Sequence, residues 1–400
     1  MDIELIRRLS TPADTKVVLC VMDGLGGMPG PRGRTELEEA TPRHLDRLAA
    51  EGTVGMTIPV GYGITTGSGP GHLALFGYDP LQFEIGRGAL EATGIDFALG
   101  PDDLAARGNL CTVDAAGIIT DRRAGRVDTE TTAEICGLLE REIHLPGVEL
   151  FVKPVREHRF ALILRGPGLH SGLNETDPQR EGVAPLGVVA LDPAAEPTAV
   201  LVRQFVTEAR RLLMDRTQAN ALTLRGWDHR PNMPQMPELW KLRAAAVAVY
   251  PMYRGLSRLV GMDVLDCGTN IESQVETIKQ HWHDYDFFFL HFKYTDSAGE
   301  DGDFARKTQM IRDFDAHIPS LLALKPNVLV VAGDHSTPAV MADHSWHPVP
   351  VLISGDHVRT DAAHRFNEPE CIVGGLGTFP AKELLPIAFA HARRLSRFGA

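Results

Sequence analysis

The chain is poor in cysteine and has no long hydrophobic run. Its 400 residues include five cysteines, which are scattered, odd in number and never arranged as CxxC. This usage excludes a disulfide scaffold and is typical of reduced thiols in the cytoplasm. No apolar stretch approaches the roughly 20 residues that span a bilayer, and the only apolar stretch of the N-terminus contains charges, unlike a signal peptide. We therefore expect a cytoplasmic protein with no membrane partner.

Excess positive charge is also missing. Forty Lys and Arg residues stand against 52 Asp and Glu residues, which gives a formal net charge of −12. A chain this acidic lacks the basic footprint of a nucleic-acid-binding protein, so we expect no nucleic-acid partner. If the substrate is an anion, the positive charge that binds it must be local, from a metal ion or a cluster of arginines.

Familiar nucleotide-binding and hydrolase motifs are absent too. The glycines at 24–27 lack the third glycine of a dinucleotide fingerprint, and there is neither a Walker A lysine motif nor a GxSxG elbow. The composition is otherwise that of a globular protein, with 44% hydrophobic and 23% charged residues. The length corresponds to about two to three domains.

Short apolar runs rich in β-branched or aromatic residues predict buried strands near both ends of the chain. These runs are residues 16–22 (KVVLCVM), 287–292 (FFFLHF), 327–332 (NVLVVA) and 349–353 (VPVLI). Continuous apolar runs are typical of parallel strands that are buried on both faces. Thr41-Pro42 predicts the start of a helix that stops at Gly52, and the amphipathic stretch 304–324 predicts a crossover helix. We therefore predict an α/β fold with a mostly parallel sheet flanked by helices.

The middle of the chain has a different pattern. Residues 101–235 contain shorter apolar runs, many Gly and Pro residues, and arginine-rich turns. We predict that they form a smaller α/β domain, inserted into a discontinuous catalytic domain of residues 1–100 and 236–400. An insert in this position is suited to act as a substrate-binding lid.

Acidic and imidazole side chains follow several of the predicted strands. The candidates are Asp23, Asp296, Glu300, Asp334, His335 and His344. Open parallel sheets place their chemistry just beyond the carboxyl ends of their strands, so these side chains should meet at one edge. Mixed oxygen and nitrogen donors suit Mn²⁺, Mg²⁺ or Zn²⁺, and their number is enough for two metal ions. Each residue alone could instead be a helix cap or a structural polar group, but their joint placement favours a metal centre.

A glycine-rich segment at 65–73 (TTGSGPGHL) provides a second candidate site. Ser68 would lie where a helix begins, and there backbone N–H groups and the helix dipole favour phosphate. A metal ion can lower the pKa of a serine hydroxyl and make it a nucleophile. The alternative is that Ser68 only caps the helix.

The third candidate site is a set of arginines in the predicted insert. They are Arg122, Arg123, Arg126, Arg159, Arg225 and Arg230. Arginine forms bidentate hydrogen bonds with phosphate and carboxylate groups. In an acidic chain these arginines could bind an anionic substrate, although surface ion pairing is the alternative for at least half of them.

Several segments together resemble a known family. They are residues 23–27 (DGLGG), 67–80 (GSGPGHLALFGYDP), 121–126 (DRRAGR), 157–160 (EHRF), 250–255 (YPMYRG), 293–296 (KYTD) and 333–338 (GDHSTP). In this order, and over nearly the whole chain, they resemble the cofactor-independent phosphoglycerate mutases of the archaeal type, in the alkaline phosphatase superfamily. The resemblance implies an alkaline-phosphatase-like catalytic domain with two divalent metal ions and no need for 2,3-bisphosphoglycerate. Mn²⁺ is the expected metal, with Mg²⁺ or Zn²⁺ as alternatives.

The resemblance also implies roles for the candidate metal ligands. One ion would be bound by Asp23, Ser68, Asp334 and His335, and the other by Asp296 and His344. Members of the family usually have a histidine where this chain has Glu300. A carboxylate there can still bind a metal, and it favours Mn²⁺ or Mg²⁺ over Zn²⁺. His291 and His347 are alternative ligands.

The implied reaction is the interconversion of 3-phosphoglycerate and 2-phosphoglycerate, small phosphorylated substrates of glycolysis and gluconeogenesis. Ser68 would attack the phosphoryl group and form a phosphoserine, while the insert keeps water out so that the group returns to the glycerate. Asp121 is the candidate for shuttling the proton between the two hydroxyls. The alternatives are a metal-dependent phosphatase or other phosphomutase of the superfamily, and a non-catalytic metal-binding regulatory protein. The sequence leaves the oligomeric state open.

Overall fold

The computed structural model describes residues 2–399 and shows a mixed α/β architecture. The strands are β1 (Val17–Met22), β2 (Thr53–Ile58), β3 (Asp103–Val113), β4 (Ile119–Asp121), β5 (Glu149–Arg156), β6 (Arg159–Arg165), β7 (Ala221–His229), β8 (Ala244–Val247), β9 (Asp263–Val264), β10 (Phe287–Phe292), β11 (Val328–Ala332), β12 (Val349–Gly355) and β13 (Gly377–Pro380). The helices are α1 (Ile3–Leu9), α2 (Glu36–Ala40), α3 (Arg43–Glu51), α4 (Ser68–Leu75), α5 (Arg87–Gly94), α6 (Thr129–Glu142), α7 (Glu196–Leu213), α8 (Met236–Trp240), α9 (Pro251–Leu259), α10 (Ile271–Gln280), α11 (Tyr294–Glu300), α12 (Phe304–Asp315), α13 (Ile318–Leu322), α14 (Glu368–Ile372) and α15 (Leu384–His391).

The chain divides into two compact units. One contains the residues up to Glu84 and from Met233 onward, and the other is Ile85–Asn232. The second unit therefore begins at Ile85, whereas the sequence pattern placed the start of the insert at residue 101. The difference arises because α5 packs against β3, β6 and β7 of the second unit.

The larger unit is built on an eight-stranded sheet. Its strand order is β13-β2-β12-β11-β1-β10-β8-β9. Every neighbouring pair is parallel except the two pairs that include β12. The predicted mostly parallel sheet is thus confirmed. Because β1 lies between β10 and β11, the residues that follow these three strands come together at one edge.

Strand β12 runs against both of its neighbours. Its last residue, Gly355, pairs with the first residue of β11, Val328. Residues 349–353 form a strand as predicted, but Ser354-Gly355 lie at the edge opposite to the ends of β1 and β11. The reversal brings the residues that precede β12, rather than those that follow it, to the edge where β1 and β11 end.

Two helix predictions need correction. Thr41 does not begin α3; it ends α2 in the left-handed region, with φ of 46°, and Pro42 precedes α3. Gly52 ends α3 as predicted. The stretch 304–324 is not one helix but two, α12 and α13. Pro319 lies in the first turn of α13, where a missing N–H is tolerated, and it would break a continuous helix.

The second unit has its own α/β fold. Its five strands form an antiparallel sheet in which β3 pairs with β4, β6 and β7, and β5 pairs with β6. Buried side chains of this sheet, such as Phe160, and of α7, such as Phe205, belong to one hydrophobic cluster. The predicted α/β class of the insert is confirmed, while its role as a lid stays a prediction.

All five cysteines are free and buried. Within residues 2–399, none of the helices combines the length and the apolar character that crossing a bilayer requires.

Candidate active site

Three of the four candidate carboxylates are buried at the edge where β10, β1 and β11 end. Asp23 directly follows β1, Asp296 lies in α11 after β10, and Asp334 lies two residues after β11; all three are fully buried. Gly24 has a φ of +63°, and a Cβ there would lie 2.6 Å from Asp296 Oδ1. Only glycine therefore suits this turn. Its N–H donates to Asp334 Oδ1 at 3.0 Å and so joins two of the loops.

Four predicted ligands form a first cluster. His335 Nε2 lies 3.1 Å from Ser68 Oγ, 3.1 Å from Asp334 Oδ2 and 3.4 Å from Asp23 Oδ1. The oxygens Asp23 Oδ1 and Asp334 Oδ2 are buried, and apart from the neighbouring imidazoles neither has a hydrogen-bond partner among the described residues. Buried polar atoms without partners are rare and need an explanation. A bound divalent cation would explain these two oxygens, because such a cation takes mixed carboxylate, hydroxyl and imidazole donors.

The charges of this cluster are strongly coupled. Burial opposes a charge on His335, but the carboxylates of Asp334, Asp23 and Asp296 outweigh it and raise the pKa of His335 to about 9. Burial likewise opposes a charge on Asp334, but His335 and His72 outweigh it and hold the pKa of that carboxyl well below its usual range. The carboxylates of the cluster therefore stay ionised, and a metal ion that binds them would take the place of the proton on His335.

A second cluster lies beside the first. Ligand atoms of Asp296, His335 and His344 all lie within 4.8 Å of one another. His344 Nε2 is 3.6 Å from Asp296 Oδ1 and 3.6 Å from Glu300 Oε1. His344 Nδ1 lies 2.9 Å from the carbonyl oxygen of Thr66, a distance that suits an N–H donor at Nδ1. The lone pair of Nε2 is then available to a metal ion. Glu300, whose side chain is 53% exposed, reaches the same point from α11.

The two alternative histidine ligands have different surroundings. His291 Nε2 lies 2.8 Å from Asp23 Oδ2, and burial lowers the pKa of His291 to about 4, so its imidazole is neutral at pH 7. A neutral imidazole here can donate to Asp23 and fix the orientation of that carboxylate. His347 instead contacts Ser345 Oγ through Nδ1, at 2.9 Å, and belongs to neither cluster.

Two further residues at this edge escaped the sequence prediction. His72 is fully buried, with Nδ1 3.1 Å from Asp334 Oδ2. Lys293 forms an ion pair with Asp296, and its ammonium lies 3.6 Å from Asp23 Oδ2. The signal for both was spacing on a helix: His72 lies one turn after Ser68, and Lys293 lies three residues before Asp296.

The insert contains a cavity of about 450 Å³ that is rich in arginine. Its lining residues are Arg107, Asn109, Arg122, Arg123, Arg126, Arg156, Glu157, His158, Arg159, Asp177 and Arg225. Five of the six predicted arginines therefore share one cavity. Arg230 does not line it; one of its guanidinium nitrogens lies 3.5 Å from the Leu99 carbonyl. Sequence reasoning missed Arg107 and Arg156, which lie within strands where an alternating pattern gives no hint of a cavity.

Only part of the positive charge in this cavity is balanced. The buried Asp177 pairs with Arg122 at 3.2 Å and with Arg225 at 3.7 Å, and Arg107 pairs with Glu91 at 3.0 Å. The remaining lining arginines have no carboxylate within 4.0 Å among residues 2–399; they are Arg123, Arg126, Arg156 and Arg159. The cavity thus has the charge and the donors that an anion needs.

Asp121 is held by its own loop. Its Oδ1 accepts from the Arg123 N–H and its Oδ2 from the Gly125 N–H, each at 2.7 Å. Asp121 is not among the residues that line the cavity. In this arrangement its carboxylate shapes the turn that carries Arg122, Arg123 and Arg126.

Three kinds of comparison find similarity to the same family of known proteins. Residues 49–219 match a family model described as 2,3-bisphosphoglycerate-independent phosphoglycerate mutase. A protein from Aquifex aeolicus, named a probable mutase of this kind, is 45% identical over 406 residues, covering 99% of this chain and 100% of its own. A Thermus thermophilus protein of the same name is 46% identical over 400 residues, covering 99% and 98%. The solved cofactor-independent phosphoglycerate mutase from Thermoplasma acidophilum is 30% identical with a TM-score of 0.79, covering 94% and 100%.

Proposed function

Since the chain belongs to the 2,3-bisphosphoglycerate-independent phosphoglycerate mutases, we propose that Ser68 is its nucleophile and that two divalent cations assist it. The protein is an isomerase that interconverts 3-phosphoglycerate and 2-phosphoglycerate, and its substrate is a small phosphorylated molecule. The family assignment favours this reaction over the phosphatase and the non-catalytic binding protein that the sequence left as alternatives.

The observation that carries the proposal is the position of Ser68. Its Oγ lies at the first residue of α4, 3.1 Å from His335 Nε2, in the cluster that also contains Asp23 and Asp334. The bound cations would lower the pKa of the serine hydroxyl and neutralise charge on the phosphoryl oxygens. The N–H groups of Ser68 and Gly69 lie in the first turn of α4, where a helix leaves its N–H groups without intrahelical partners, so they can bind phosphoryl oxygens.

The chemistry of Ser68 takes two steps. Its oxygen attacks phosphorus, the bond between phosphorus and the glycerate oxygen breaks, and a phosphoserine forms. The other hydroxyl of the glycerate then attacks the phosphorus of the phosphoserine, and the Ser68 oxygen is the leaving group, so that the free serine is restored. Each step moves one proton from the attacking hydroxyl to the leaving oxygen. Asp121 as the carrier of that proton stays a prediction, and so does the insert as the lid that excludes water.

The donors favour hard cations. We propose Mn²⁺ or Mg²⁺ rather than Zn²⁺, because the two clusters contain four carboxylates, from Asp23, Asp296, Glu300 and Asp334. Carboxylate donors suit Mn²⁺ and Mg²⁺, whereas imidazole suits Zn²⁺. A cytoplasmic location stays a prediction from the reduced cysteines.

The substitution Glu300→His tests this metal preference. We expect it to raise the affinity for Zn²⁺ relative to Mn²⁺ by about tenfold, because a nitrogen donor replaces an oxygen donor. Competition of the two ions for metal-stripped protein, read by elemental analysis after dialysis, measures the ratio. The exposed Glu272→His on α10 is the control, and it should leave the ratio unchanged. Equal ratios in the Glu300 variant and in the wild type would show that Glu300 does not bind the metal.

We propose that the arginine cavity of the insert binds the anionic groups of the substrate. The substitution Arg159→Ala should then raise KM about 10- to 100-fold, the effect of losing a hydrogen bond between charged groups. Arg230→Ala, outside the cavity, should change KM less than about twofold. Steady-state kinetics of both variants make the comparison. Similar KM values in the two variants would contradict a binding role for the cavity.

The proposed function as a whole is tested by a coupled assay. Metal-stripped protein reloaded with Mn²⁺ should convert 3-phosphoglycerate to 2-phosphoglycerate, detected through enolase, without added 2,3-bisphosphoglycerate. Free phosphate measured in the same tube should stay low. Phosphate release without 2-phosphoglycerate would show a phosphatase instead.

A further inference from the structure

A fully buried lysine lies behind the two clusters of candidate metal ligands. Lys307, on α12, donates to the carbonyl oxygens of Gly24 at 2.9 Å, Gly26 at 3.0 Å and Thr337 at 2.8 Å. These three acceptors match the three N–H bonds of an ammonium group. The nearest carboxylate oxygen, Glu36 Oε1, is 4.0 Å away. The ammonium group is therefore hydrogen-bonded to backbone carbonyls and not to a carboxylate.

The three carbonyls belong to the two loops that carry the first metal cluster. Gly24 follows Asp23 directly, and Thr337 lies two residues after His335. The Thr337 N–H also donates to the carbonyls of Gly24 and Gly26, at 3.3 and 3.1 Å. Thr337 Oγ1 donates to Asp296 Oδ1 at 2.6 Å. One ammonium thus cross-links the loop after β1, the loop after β11 and, through Thr337, a carboxylate of the second cluster.

We propose that Lys307 is a positioning residue for the metal centre, which it serves by holding Asp23 at a fixed distance from Asp334 and His335. The inference rests on the proposed function, in which these residues bind a cation. Burying an ammonium without a close carboxylate is costly, so a general structural role would be better served by an apolar side chain. Groups that orient metal ligands from behind typically account for about 10- to 100-fold in metal affinity.

Two buried carboxylates complete the arrangement around Lys307. Glu36 Oε1 accepts from the Ala339 N–H at 2.7 Å, and Glu368 Oε1 accepts from the Gly27 N–H at 3.0 Å. Each carboxylate therefore holds the outer part of one of the two loops that Lys307 joins. The carbonyls of the loops remain the direct hydrogen-bond partners of the ammonium.

The same unit offers a matched control. Arg394 is also a buried cation that donates to backbone carbonyls, those of Ala13 at 2.5 Å and Thr15 at 2.6 Å. Its acceptors precede β1 and lie at the opposite end of that strand from Asp23. Loss of Arg394 removes a similar number of buried interactions without touching a ligand loop.

The test is the affinity of metal-stripped, full-length protein for Mn²⁺, measured by electron paramagnetic resonance of the free ion without substrate. We expect Lys307→Met and Lys307→Gln to weaken binding about 10- to 100-fold, and Arg394→Met to change it less than twofold. Hydrogen exchange of segments 22–28 and 333–340 should be faster in the Lys307 variants only.

Several other outcomes would overturn the positioning role or the metal site on which it rests. A folded Lys307→Gln protein that binds Mn²⁺ as tightly as wild type would overturn the inference, as would a loss of equal size in Arg394→Met. If both Lys307 variants fail to fold under conditions where Arg394→Met folds, the residue serves the core as a whole, and the positioning role is wrong. A wild-type protein that binds no Mn²⁺ would instead remove the proposed metal site itself.

Discussion

Replacement of Ser68 by alanine should lower kcat for the interconversion by about 10⁴-fold or more, which corresponds to about 5.5 kcal/mol of transition-state stabilisation. The alanine side chain cannot take the phosphoryl group, so the two-step route is lost with it. Binding of the substrate should change much less than kcat. Mn²⁺ should still bind, because Asp23, Asp334 and His335 remain, and a loss of affinity within about tenfold is expected.

The control for this experiment is Ser10→Ala. Ser10 is buried, and its hydroxyl donates to the Ile6 carbonyl at 2.8 Å, away from the strand ends that carry the site. This variant should keep wild-type kcat and lose only stability, by about 1 kcal/mol. If Ser68→Ala retains more than about a tenth of the wild-type kcat, another residue is the nucleophile.

Removal of metal should lower activity by at least about 10³-fold. Without a divalent cation, the carboxylates of Asp23 and Asp334 repel the phosphoryl group, and the hydroxyl of Ser68 keeps its ordinary, high pKa. Activity of chelated and dialysed protein should return on addition of Mn²⁺ or Mg²⁺, in proportion to the metal bound. Mn²⁺ should also raise the unfolding temperature, because a ligand that binds only the folded state stabilises it.

Two results would count against this account of the metal. Full activity in protein that elemental analysis shows to be free of divalent metal would exclude an essential cation. Restoration of activity without any change in unfolding temperature would indicate that the metal acts on the substrate rather than at the clusters. The substitution Asp334→Asn separates these cases, because it should abolish both the restoration and the thermal shift.

The sequence predicted the parts of the fold that follow from local patterns. Continuous apolar runs marked β1, β10, β11 and β12, since strands buried on both faces leave no polar alternation. It did not show that β12 runs in reverse, because strand direction depends on the path of the chain between strands. Nor did it show that α12 and α13 are two helices, with Pro319 in the first turn of α13, because the amphipathic pattern runs through both.

For the candidate site, residues next to strand ends were predictable and residues behind them were not. Asp23 and Asp334 lie one and two residues after strands, so their meeting at one edge followed from the topology of parallel sheets. Lys307 is the fourth residue of an amphipathic helix, where a lysine normally faces solvent, and only the packing of α12 shows that it is buried. Asp177 similarly pairs with arginines distant in sequence, and no spacing rule connects them.

The central claim is that Ser68 carries the phosphoryl group between the two hydroxyls, and it is tested most directly by trapping that group. Wild-type protein loaded with Mn²⁺ is mixed with 3-phosphoglycerate that is radiolabelled in its phosphoryl group, quenched in acid and digested. We expect acid-stable label on the peptide that contains Ser68, at a level that falls when unlabelled substrate is added before the quench. Label on a different peptide, or rapid turnover with no labelled protein at any time, would contradict it.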